Sequence, residues 1–164
     1  MGRVSILLVF VALSSMTMLG QDAVQRVYAD EKNQARVVYK SGKTTTVAGE
    51  RGQVGIDETE IAEDGETAGW LALYADPDSA SPFAGTLVLW RGGKVIRRFE
   101  ADQTFWSWAF YGHAGQVAYH VGPTHGEATS HCELHDVKTG RLVASWDGDL
   151  DDPNRPAWTR GLEH

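Results

Sequence analysis

The chain has one cysteine, Cys132, in 164 residues. A lone thiol closes no internal disulfide, so the fold must stand on packing. Basic residues are in deficit as well: 15 Lys and Arg face 22 Asp and Glu, a formal net charge of −7. No basic stripe relieves that balance, which argues against nucleic-acid binding. The sequence has no nucleophile elbow, no phosphate loop and no H-E-x-x-H pair, so no strong catalytic signature is present. Long apolar periods of helical spacing are few. What it does have is 18 glycines and six tryptophans, a composition that leans toward β structure with many turns. The length is that of one domain with a real core.

The one long apolar run is "VSILLVFVALSSMTML", Val4 to Leu19. It follows a short basic start and precedes a polar stretch. That pattern predicts a secretory signal peptide over residues 1–20, with Gly20 as the small residue before the cut. The alternative is an uncleaved N-terminal anchor, although the run is slightly short for a membrane span. No cysteine follows the run, which excludes lipoprotein-type lipid attachment. The expected location is secreted or periplasmic, with no stable membrane insertion once the signal is removed.

The rest repeats itself. "LVLWRGGKVIRRFE" (Leu87–Glu100) parallels "CELHDVKTGRLVASWD" (Cys132–Asp147), with Gly93 matching Gly140 at an offset of 47 residues. "EIAEDGETAGWLALY" (Glu60–Tyr74) parallels "AFYGHAGQVAYHV" (Ala109–Val121), with Gly65 matching Gly115 at an offset of 50. Upstream, "ARVVYKSGKTTTVAG" repeats the second hairpin alone. Alternation and turn chemistry predict strands over 35–40, 43–48, 58–62, 67–75, 86–91, 94–100, 104–111, 116–121, 131–136 and 141–146. Within "KVIRRFE", Val95 and Phe99 are expected to share one face, with Ile96 and Arg98 on the other. Residues 21–34 form an N-terminal segment, either a frayed strand or a short helix. Residues 35–147 form the repeat domain, and 148–164 an irregular tail. The expectation is an all-β antiparallel meander of four-stranded units.

"FWSWAFYGHAGQVAYHV…CELHDVKTGRLVASW" resembles a WD-type β-propeller blade. Trp108-Ala109-Phe110 stands for the inner strand, and Gly115 for the turn glycine. Leu134-His135-Asp136 with Thr139-Gly140-Arg141 stands for the signature hairpin, and Leu89-Trp90-Arg91 holds the dipeptide position of the preceding unit. Neither unit has an intact Trp-Asp pair, and the family's Gly-His pair is missing. The resemblance spans about Glu60 to Asp147 and implies roughly two and a half propeller-like blades. The layout is also similar to that of short exported bacterial proteins of unassigned function.

The stretch "FWSWAFYG" places five aromatics in eight residues. In a blade it is an inner strand covered on both sides, with Phe105, Ser107 and Ala109 on one face and Trp106, Trp108 and Phe110 on the other. The competing reading is a partly exposed stacking platform, with Trp106 and Trp108 as the binding surface.

His120, His125, His131 and His135 fall within sixteen residues, beside Cys132 and Glu133. These are transition-metal ligand types. However, His131 and His135 on one strand lie about 13 Å apart, too far to meet at one ion. A site would need Glu133, one of them, and His120 or His125 from across the hairpin, with Cys132 facing away. A solvated polar strand face explains the same residues, and no metal or cofactor is expected. "DGDLDDPN" opens like a calcium loop at Asp147, Asp149 and Asp151. It has Asp152 where the turn needs Gly and Trp158 where the bidentate Glu belongs, so an acidic turn is expected. The functional expectation is an exported, non-enzymatic binding module with a protein partner or copies of itself. The alternative is an extracellular or periplasmic hydrolase, or hydrolase subunit, acting on glycan or peptide with or without a metal.

Overall fold

A computed structural model describes residues 22–123 and 130–162. The expected signal segment and His125 lie outside these. The described chain is all-β, in three antiparallel sheets with no closed barrel. The first sheet joins β1 (Val24–Ala29), β2 (Ala35–Tyr39) and β3 (Thr44–Val47). The second runs β4 (Gln53–Ile61), β5 (Thr67–Tyr74), β6 (Phe83–Arg91) and β7 (Lys94–Glu100) in meander order. The third repeats that order with β8 (Thr104–Tyr111), β9 (Gln116–Gly122), β10 (Ser130–Asp136) and β11 (Leu142–Gly148).

The sheets stack face to face. Val27, Val37 and Tyr39 of the first pack on Trp70, Val88 and Trp90 of the second. Leu71, Leu87, Leu89 and Phe99, from the other face of the second sheet, pack on Phe105, Trp108, Val117 and Tyr119 of the third. The central sheet is thus apolar on both faces. β5 accordingly reads "TAGWLALY" without alternation, and its first six residues are buried. Each large side chain so buried contributes about 1.5–3 kcal/mol of transfer free energy. The outer face of the third sheet is covered by Leu162 and Trp158, packed on Ala118, Cys132 and Leu134. These two come from a 3-10 helix, Ala157–Leu162, so the tail expected to be irregular is docked. Ser107 Oγ donates to the Leu162 carbonyl at 2.7 Å, tying the helix down.

The N-terminal segment is a strand, β1, followed by a turn closed by Asp30 N–H to Gln34 O at 2.9 Å. β4 begins at Gln53, five residues before the expected start, and β6 begins at Phe83, three residues before. Both extensions run through bulges. Val54 and Gly85 are each one residue in excess of the partner strand.

Bulges also correct the face assignments. At Ile96 the register against β6 shifts. Val95 therefore joins the core between the first and second sheets, while Phe99 joins the core between the second and third. The two do not share a face. At Trp106 the register against β9 shifts as well. Phe105, Trp108 and Phe110 then fall on one face and Ser107 and Ala109 on the other, where strict alternation pairs Phe105 with Ser107. An extra residue inverts every side chain beyond it.

Apart from Gly85 on β6, such insertions sit on the outer strands. β1, β7, β8 and β11 each carry one, at Gln25, Ile96, Trp106 and Val143, and β4 carries two, at Val54 and between Asp57 and Glu60. The remaining outer strand, β3, is only four residues long. Bulged or very short edges resist pairing with another strand. The bulges also account for three exposed apolar side chains: Val54 at 41%, Trp106 at 46% and Val143 at 51%.

Candidate functional site

β9, β10 and β11 turn a row of polar side chains toward the second sheet. The ladder sets the row: Tyr119 is the cross-strand partner of Glu133, and His131 is the partner of Asp147. His131, Glu133 and His135 alternate along β10 and share its face. Glu133 reaches both histidines with separate oxygens. Its Oε1 lies 3.1 Å from His131 Nε2, and its Oε2 lies 2.6 Å from His135 Nε2. Tyr119 Oη donates to the same Oε2 at 2.5 Å. The far nitrogens are held too: His131 Nδ1 lies 2.6 Å from Asp147 Oδ1, and His135 Nδ1 donates to the Gly140 carbonyl at 3.1 Å. Phe99 of β7 closes over the row, its ring 4.9 Å from that of His135 and 5.8 Å from that of Tyr119. Tyr119 and His135 stack with ring centroids 5.2 Å apart.

The electrostatics follow from these contacts. Burial pulls the Glu133 pKa up, but donors from Tyr119, His135 and His131 outweigh it, leaving the carboxyl below its ordinary range. Burial first, and then the hydrogen bond to Glu133, push the Tyr119 phenol well above its ordinary value. His131 faces carboxylates on both sides, Asp147 the stronger influence and Glu133 the weaker, and its pKa is raised. Glu133 is therefore an ionised acceptor with its proton donors in place. It is not poised as a general acid, which needs a raised pKa. The row works as a polar clamp fastening β9, β10 and β11 together under Phe99.

The sequence-derived candidates separate accordingly. His131, Glu133 and His135 meet through hydrogen bonds, not around a common point. His120 lies on the opposite face, level with Cys132, and burial lowers its pKa. Cys132 is fully buried, and burial pushes its thiol up to about 11. Among the described residues no group of three or more His, Cys, Asp or Glu side chains converges as a metal site. Trp106 is half exposed, and its indole covers Gly122, where a Cβ would lie 2.9 Å from Nε1. Trp108 is buried, and its Nε1 donates to the Glu58 carbonyl at 2.9 Å. The two candidate platform residues therefore lie in different environments. In the acidic turn, Asp149 and Asp152 accept from the backbone N–H groups of Asp151 and Asn154 at 2.9 and 2.8 Å. These are turn contacts, not an outward array of ligands.

Sequence reasoning missed Tyr119 and Asp147 as members of the row. No sequence signal placed Asp147 there, because the bulge at Val143 shifts the β10–β11 register by one residue. No known protein-family model matches this chain, and no curated protein matches it.

Proposed function

We propose that the chain is an exported, non-enzymatic β-repeat module that acts by binding. Its sheets stand as propeller-like blades of the WD type, about two and a half of them in an open stack. The observation that carries this reading is the repeated layer. Two successive four-stranded meanders, β4–β7 and β8–β11, each pack a full face on a neighbour. Repeat stacks of this kind chiefly offer surface. The hairpin in the signature position supports it: Asp136 Oδ1 accepts from Thr139 N–H and Oγ1 at 2.6 Å each, closing the β10–β11 turn. The polar row supports it as well, because its donors and acceptors are spent on one another. The partner is a protein or a second copy of the chain, met through side chains, since bulges blunt the strand edges.

The apolar run Val4–Leu19 supports export. Intact mass of protein recovered from the periplasm or medium tests this, with a mature start near Gln21 expected and a full-length mass opposing it.

The function itself is tested on glycan and peptide arrays, with recovery of whatever is retained. Saturable retention of an unchanged ligand is expected. Cleaved ligand, with cleavage abolished in Glu133→Gln, would replace the module by a hydrolase. The convergence of Tyr119, Glu133 and His135 is the feature that favours that second reading.

A further inference from the structure

Beside the clamp, between β7 and the hairpin turns of the third sheet, lies a groove of about 710 Å³. That volume is in the range of small-ligand sites. Its lining joins Lys94, Arg97 and Lys138 to the apolar Val95, Ile96 and Val137. In a chain of net charge −7, this is a local reversal of sign. Two further charged groups line it and are already engaged. Arg91 pairs with Asp64, and Asp136 turns its carboxylate into its own hairpin. Among the described residues Lys94, Arg97 and Lys138 form no ion pair.

Arg97 is held in place before any ligand arrives. Its Nη1 donates to the Ile96 carbonyl at 2.9 Å. A Cβ on Gly140 would lie 3.3 Å from its Nε, so the guanidinium is wedged under the β10–β11 turn. That Nε is buried and has no acceptor. A fixed guanidinium loses little freedom on meeting a carboxylate, and ionic hydrogen bonds are the strong ones. The opposite wall includes Ala114 and Gly115, at the end of a turn in which Gly112, His113 and Ala114 have φ of 60°, 52° and 65°. Ala114 is buried there despite its left-handed backbone. Such backbone is costly for non-glycine residues, and here it shapes the wall of a binding groove. Pairing of a strand to β7 is not available: Ile96 is the bulged residue, and Arg97 occupies its carbonyl.

The geometry points to an organic anion as ligand: a carboxylate head held by Arg97 with Lys94 and Lys138, and an apolar stem along Ile96 and Val137. The inference rests on reading the chain as a binding module, and it supplies that module with a site. The test is calorimetric titration of the exported chain at low salt with three probes: octanoate, octanol and inorganic phosphate. Octanoate should bind saturably at one per chain, with octanol and phosphate each weaker by about tenfold or more. Arg97→Gln should weaken octanoate by about tenfold, and so should the double variant Lys94→Gln/Lys138→Gln. Both lysines are exposed, so the double variant keeps the fold in which the comparison is made. Added salt should weaken octanoate binding. Phosphate binding as tightly as octanoate would overturn the stem, and octanol doing so would overturn the charge. Unchanged affinity in the double variant would overturn the site. Loss of the site with array retention intact leaves the module standing; octanoate consumed instead of bound would remove the module.

Discussion

The indole of Trp108 lies directly on Gly69: a Cβ at residue 69 would stand 2.5 Å from Trp108 Cη2 and 2.9 Å from Leu89 Cδ2. The spacing between the second and third sheets depends on that missing methyl. Gly69→Ala should therefore destabilise the protein by about 1–3 kcal/mol, the usual cost of overpacking a filled core. Urea denaturation is the measurement, and an unchanged midpoint would refute the contact.

The two neighbouring tryptophans should behave differently. Trp108→Ala removes a side chain that is 4% exposed and should cost about 3–5 kcal/mol. Trp106 is 46% exposed and sits on a bulge, so Trp106→Ala should stay within about 1 kcal/mol. Equal losses in thermal melts would show that the bulge does not eject Trp106.

The polar row makes stability depend on pH with a defined sign. The His131 pKa is raised in the fold, chiefly by Asp147 and then by Glu133. Its contribution is complete below the ordinary value of 6.5 and fades as pH rises through the raised one. Glu133 has a lowered pKa, so its contribution is present above the ordinary 4.5 and is lost as pH falls through the lowered value. The gap in urea midpoint between the parent chain and His131→Asn should be widest between those limits. It should shrink as pH rises through the raised His131 value, and a gap independent of pH would oppose the clamp.

No stoichiometric transition metal should copurify with untagged protein. Both Glu133 oxygens already serve the histidines and Tyr119. One zinc per chain by elemental analysis, lost in His131→Ala or Glu133→Ala, would overturn this.

The docked tail gives a further expectation. Leu162 is 1% exposed against Ala118, Cys132 and Leu134. Leu162→Asp should undock the 3-10 helix and bare that apolar face. Light scattering should then show association that grows with concentration beyond that of the parent chain. Identical scattering would mean the helix is not what covers the sheet.

Glycine turns and alternating polarity made the strand grouping readable in the sequence. The boundaries of β5, β7, β8, β9 and β10 fall within a residue of expectation for that reason. The bulges were not readable, because an inserted residue has no composition of its own. Ile96 and Trp106 look like ordinary apolar strand residues until a partner strand is laid beside them. The candidate site was half legible for the same reason. His131, Glu133 and His135 are visible as an alternating run on one strand, whereas Tyr119 and Asp147 join them only across strands. The charged groove was out of reach, since it assembles Lys94, Arg97 and Lys138 from two sheets.

The outer strands carry their bulges as single extra residues, each encoded by one codon. Removing Gln25, Ile96, Trp106 or Val143 would restore an even ladder along its edge while leaving the interior pairings of the sheet in register. The straightened edge would match the same edge on every other copy of the chain and could template its addition. A single in-frame deletion at any of these sites should therefore favour edge-to-edge association of copies. Three-nucleotide losses there should be purged even where substitution of the same residue is harmless.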